Sequence, residues 1–152
     1  MSDETRTVIT FTSTAFNTTE ERAYFINPGC FGDDVAKWLI GELQKRGLTT
    51  CAEPGQEDFG WYLSFRLAST SHTFVVGYRA DDATWIGWIE RTRGFVLSIL
   101  GARKHGIDPA VAEALHTILT DFPEIKTVRW HFKSDFDKGL EERGASTPTS
   151  PK

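Results

Sequence analysis

The sequence predicts an α+β two-layer sandwich, a mostly antiparallel sheet with two helices packed on one face. Three observations carry that reading. Residues 35–43 and 111–122 repeat apolar side chains at helical spacing. Several other stretches alternate apolar and polar residues, as a strand with one buried face does. Short turns separate most of those stretches, whereas a parallel pair needs a long crossover.

Taken in order, residues 7–14 read as a strand, with Val8, Thr10, Thr12 and Thr14 opposite Ile9, Phe11 and Ser13. A short second strand is expected at 24–26, before the turn signal Asn27-Pro28-Gly29. Asp33 can cap a helix whose stripe is Val35, Trp38, Leu39 and Leu43. Lys45-Arg46-Gly47 supplies its stop: cations at the negative end, then a residue that adopts positive φ readily. Residues 48–52 are expected as a strand ending at Pro54-Gly55. Residues 59–67 alternate cleanly, with Phe59, Trp61, Leu63, Phe65 and Leu67 on one face and Gly60, Tyr62, Ser64 and Arg66 on the other. Further strands are expected at 73–79, 84–91 and 94–101.

Asp108-Pro109 opens the second helix, because proline at the first helical position forfeits no needed N–H. Val111, Leu115, Ile118, Leu119 and Phe122 form its stripe, and Pro123 ends it. Residues 125–132 read as the last strand, with Val128, Trp130 and Phe132 opposite Thr127, Arg129 and His131. The ordered domain is therefore expected at 7–133, followed by a flexible polar tail at 134–152.

Composition narrows the function classes. Of 152 residues, 39% are hydrophobic and 25% charged, which excludes a disordered acidic chain. A net charge of −4 argues against the broad basic face of a general nucleic-acid binder. No apolar run approaches the roughly 20 residues of a membrane span. The start, Met-Ser-Asp-Glu-Thr-Arg, has no cationic lead into an apolar stretch, so the expected location is the cytoplasm. Cys30 and Cys51 are then expected as reduced thiols.

The most distinctive stretch is Pro54-Gly55-Gln56-Glu57-Asp58-Phe59-Gly60-Trp61. Glu57 and Asp58 stand at the mouth of a strand, placed to recognise a cation or donor, with Trp61 as an apolar wall; the plainer reading is a solvated turn feeding a core strand. Thr84-Trp85-Ile86-Gly87-Trp88-Ile89-Glu90-Arg91 puts a tryptophan on each strand face. Tyr62 and Arg66 also lie opposite their own strand's apolar face, so Tyr62, Trp88 and Glu90 would join an aromatic and acidic sheet surface. The competing reading is that another segment covers that face. The Pro-x-x-Glu-Asp-Phe-Gly-Trp stretch, the later Trp-Ile-Gly-Trp and the ending Val128-Arg129-Trp130 resemble a family of uncharacterised small bacterial proteins over about residues 48–132. The resemblance implies no activity, cofactor or catalytic residue.

Other constellations are weaker. Arg91, Arg93, Arg103, Lys104 and His105 read as solvated charge rather than a single-strand binding site. His72, His105, His116 and His131 lack metal-ligand spacing, and no cofactor fingerprint is present, so no metal or cofactor is expected. A dyad of His131 or His72 with Glu57, Asp58 or Glu90 would serve general acid–base chemistry. The residues 29–33 precede a helix N-terminus, where an anion could bind or the Cys30 thiolate be favoured; an idle thiol is the simpler reading. The resulting expectation is a non-enzymatic protein-binding module, adaptor or immunity-like, that uses Glu57, Asp58, Trp61, Tyr62, Trp88 and Glu90 against a basic protein. The alternative is a small-molecule binder or small enzyme with a carboxylate–His/Arg pocket between sheet and helices.

Overall fold

The computed structural model describes residues 5–26, 29–58, 60–67, 70–91 and 107–149. Seven strands form one sheet: β1 Val8–Ser13, β2 Thr49–Thr50, β3 Gly55–Glu57, β4 Gly60–Leu67, β5 Thr70–Arg79, β6 Thr84–Arg91 and β7 Ile125–His131. Their order is β2-β4-β5-β6-β1-β7, with β3 also paired to β4, and every described pairing is antiparallel. The helices are α1 Asp33–Lys45, α2 Pro109–Asp121 and the short α3 Lys133–Asp137, followed by a 3-10 turn at Glu141–Arg143. The α+β class, with both long helices against the sheet, is as the periodicities predict.

Register decides which side chains share the core. Across the inner face, Trp61 lies opposite Val76, Val76 opposite Gly87, Gly87 opposite Ile9 and Ile9 opposite Trp130. These pack with Val35, Leu39 and Leu43 of α1 and Val111, Leu115 and Leu119 of α2 in one buried cluster. Gly87 is small for a reason, since a Cβ there would stand 2.4 Å from the Phe74 ring. A bulge in β1–β7 lets Ile125 and Trp130 both face inward although they are five residues apart. Thr127, at φ +57°, absorbs the change of phase.

Several boundaries differ from expectation. Residues 24–26 run through a turn and a bend rather than a strand, and 55–57 form a strand rather than a turn, because β3 folds back on β4 through Glu57 and Gly60. Asp33 is the first helical residue, not the cap; Gly32 takes the cap position at φ +136°, where a Cβ would stand 3.2 Å from the Val76 carbonyl oxygen. Asp108 caps α2 as expected, accepting the Ala110 N–H at 2.9 Å. The strand expected at 94–101 lies outside the described residues.

The polar ending expected from Ser134 holds definite structure as far as Thr149. Ala145 and Trp130 exchange backbone hydrogen bonds at 2.7 Å, and the Arg6 N–H donates to the Pro148 carbonyl at 3.0 Å. Arg79 reaches from β5 to Glu141 at 2.8 Å. Phe136 covers His131, with ring centroids 5.5 Å apart. This segment explains why Val8, Thr10 and His131 are buried although they lie on the sheet's outer face. Polar groups hold it, which a search for apolar stripes does not detect.

Candidate functional site

The six residues singled out by sequence divide between two places. Tyr62, Trp88 and Glu90 lie on the outer sheet face, in the row where Tyr62 opposes Val75 and Val75 opposes Trp88. The Trp88 indole donates to Glu90 Oε2 at 2.8 Å, and the Tyr62 ring lies close over Gly55 of β3, where a Cβ would come within 2.3 Å of it. Tyr62 and Trp88 are half-buried. Trp61 faces the opposite way and is 5% exposed, with its indole N–H donating to the Cys30 carbonyl at 2.8 Å. It is a wall only from beneath.

Glu57 and Asp58 are exposed at the turn between β3 and β4, beside the segment that leads into α1. The chain between β1 and α1 runs past this turn and is held at several points. Gln56 accepts the Ile26 N–H through Oε1 at 2.5 Å and donates from Nε2 to the Tyr24 carbonyl at 2.9 Å. Glu21 accepts the Gly29 N–H at 2.7 Å, and Asp34 accepts the Asn17 N–H at 2.8 Å. Asn17 closes its own turn by accepting the Thr19 and Glu20 N–H groups. The loop is thus fixed by side chains rather than by a ladder.

Beneath it the rings interlock. Tyr24 stands edge-on to Trp61 at 6.0 Å, and Phe25 lies 5.6 Å from both. Phe25 also meets Phe31 at 5.8 Å. Tyr24 and Ile26 remain outside, 49% and 74% exposed, the exposed large hydrophobic residues among those described. The Tyr24 hydroxyl donates to Asp33 Oδ2 at 2.5 Å, and that bond is the first reason its pKa is raised; burial and the Asp33 charge add to it. Cys30 sits against the Glu57 carbonyl, its thiol pushed up by burial and then by the Asp58 charge. It is therefore not an activated nucleophile. The carboxylates of Asp33 and Asp34 occupy the start of α1, so an incoming anion would meet negative charge there.

Sequence reasoning singled out Glu57, Asp58 and Trp61 for binding here, read Asp33 as a helix cap and Gln56 as part of the same turn, and gave no binding role to Tyr24 or Ile26. The available signal was a short stretch, Ala23-Tyr24-Phe25-Ile26, too apolar for the loop it occupies. The acid–base dyads do not form. Glu90 takes the Trp88 indole, while His131 Nε2 pairs with the Thr10 hydroxyl at 2.9 Å. His72 is fully buried and stacked on Phe65 at 5.9 Å. Burial is the main reason that both histidines have lowered pKa values. Among the described residues, no helix is long and apolar enough to cross a membrane. Compared with family models, curated proteins and solved structures, the chain matches none of them.

Proposed function

We propose that this chain is a cytoplasmic protein-binding module that engages a basic partner through a rim formed by residues 21–26, residues 29–31, Glu57 and Asp58. The observation that carries the reading is Tyr24 and Ile26, exposed on a loop whose backbone Gln56 and Glu21 hold in place. Single exposed apolar residues are ordinary. A fixed pair of them is different, because little ordering remains to oppose association. Exposed Glu21, Glu57 and Asp58 flank the pair and give the rim the sign that attracts a basic surface. Of the six residues singled out by sequence, Glu57 and Asp58 belong to this rim and Trp61 to its floor. Tyr62, Trp88 and Glu90 are on the other face and are left out of it.

The test is capture from native lysate on wild type, Ile26→Asp and Glu57→Gln/Asp58→Asn proteins, followed by calorimetry with the purified partner. The expected result is a protein recovered by wild type and lost by Ile26→Asp, with affinity at least about tenfold weaker. The double variant should lose affinity mainly at low salt, where charge attraction is least screened. Recovery of the same proteins by all three would remove the rim from consideration.

A further inference from the structure

The rim contains a carboxylate oxygen that nothing in the described structure satisfies. Asp33 is 2% exposed, and its two oxygens have different fates. Oδ2 takes the Tyr24 hydroxyl, while Oδ1, shielded from solvent, has no hydrogen-bond partner. The positive end of α1 accounts for an acidic residue at this position. It does not account for a buried oxygen left without a donor, which is unfavourable and uncommon. The two oxygens belong to one carboxylate, so the unsatisfied Oδ1 sits on the group that holds the Tyr24 hydroxyl.

Tyr24, bonded to this buried carboxylate, is itself half exposed. One face of its ring already carries a cation, with Lys37 Nζ 5.2 Å from the centroid, as expected of an electron-rich ring. Phe25 and Trp61 stand behind it. The geometry points to a neutral hydroxyl holding the place of a charged, forked donor. We propose that the rim receives an arginine side chain of the partner, whose guanidinium displaces the Tyr24 hydroxyl and pairs with both oxygens of Asp33. This rests on the rim reading above and names the chemistry of what docks there. A guanidinium presents two parallel N–H groups to a carboxylate and stacks on aromatic faces, whereas a lysine ammonium is a single point charge. Lys37 opposes the incoming charge from the same helix, and Arg22 is drawn towards Glu20 at 3.8 Å.

The test titrates Nα-acetyl-arginine methylamide into the isotopically labelled full chain, with the lysine and norleucine analogues alongside. The expected result is saturable movement of the Asp33 amide and Trp61 indole resonances with the arginine probe, weaker movement with lysine and none with norleucine. Asp33→Asn should abolish it. Tyr24→Phe keeps the ring and removes the competing donor, so it should bind the arginine probe at least about tenfold more tightly, the worth of one hydrogen bond to a charged group. Because Tyr24→Phe leaves the carboxylate and packing in place, it decides the matter even if Asp33→Asn does not fold. Shifts confined to Glu57 and Asp58, equal response to arginine and lysine, or unchanged affinity in Tyr24→Phe would each overturn the proposal. A rim that captures a partner yet ignores the arginine probe overturns this inference alone; insensitivity of capture to Ile26→Asp overturns the rim reading itself.

Discussion

In the first turn of α2, the Asp108 carboxylate accepts the Ala110 N–H at 2.9 Å, satisfying a donor the helix cannot pair internally. Asp108→Ala should lower unfolding free energy by about 1 kcal/mol, seen as an earlier urea midpoint at unchanged slope. Gly60 has the opposite kind of importance, through the atom it lacks. A Cβ there would stand 2.2 Å from the Val76 carbonyl oxygen, and that obstacle is backbone. Gly60→Ala should therefore destabilise by about 1–3 kcal/mol, the range for overpacking a tight site. A wild-type midpoint in Gly60→Ala would mean that β4 and β5 separate more readily than their register implies.

The segment after β7 is an element held largely by polar groups. Arg79 meets Glu141 at 2.8 Å and Asp82 at 2.8 Å, and Arg143 lies 3.6 Å from Asp135. Glu141 hydrogen bonds to Arg79, which lowers the carboxyl pKa and raises that of the guanidinium. Both side chains are about a third exposed, so solvent screening limits the pair to roughly 1 kcal/mol or less of global stability. Glu141→Gln should speed hydrogen exchange at the Ala145 and Trp130 amides, which bond each other's carbonyls, while amides in β4 and β5 keep their protection. Uniform acceleration across the sheet would show that this segment is not a separate unit of opening.

For the whole molecule, the two buried histidines set a pH dependence. His72 and His131 have folded pKa values below the ordinary histidine value of about 6.5, chiefly because burial disfavours their charged forms. Between the folded and unfolded values the unfolded chain binds more protons, so stability rises with pH. The contribution is complete above about pH 6.5 and is lost as the pH falls from there towards the folded values. Urea unfolding should give a lower free energy at pH 5.5 than at pH 7.5, with a shallower fall in His131→Asn. Equal values at the two pH values would contradict the burial of both rings. Asp82 and Glu141, held low mainly by hydrogen bonding to Arg79, add a second loss at more acidic pH.

Local chemistry made some features legible from sequence. The stripe through Val35, Leu39 and Leu43, the Asp108-Pro109 start and the alternation from Trp61 to Leu67 each express one element's own geometry, and each is present. Strand order was not legible, because placing β1 between β6 and β7 depends on contacts remote in sequence. The surplus of aromatic rings was visible as a composition of 12%, yet only packing could sort it. Trp61, Trp85 and Trp130 went to the core, while Tyr24 was left at the surface. Periodicity reports which face of an element is apolar; it carries no information about the loop that crosses a helix end, where Gln56, Asp33 and Tyr24 meet through side-chain hydrogen bonds. The sequence by itself determined the two layers, and the tertiary structure alone decided that Tyr24 and Ile26 would stand outside them.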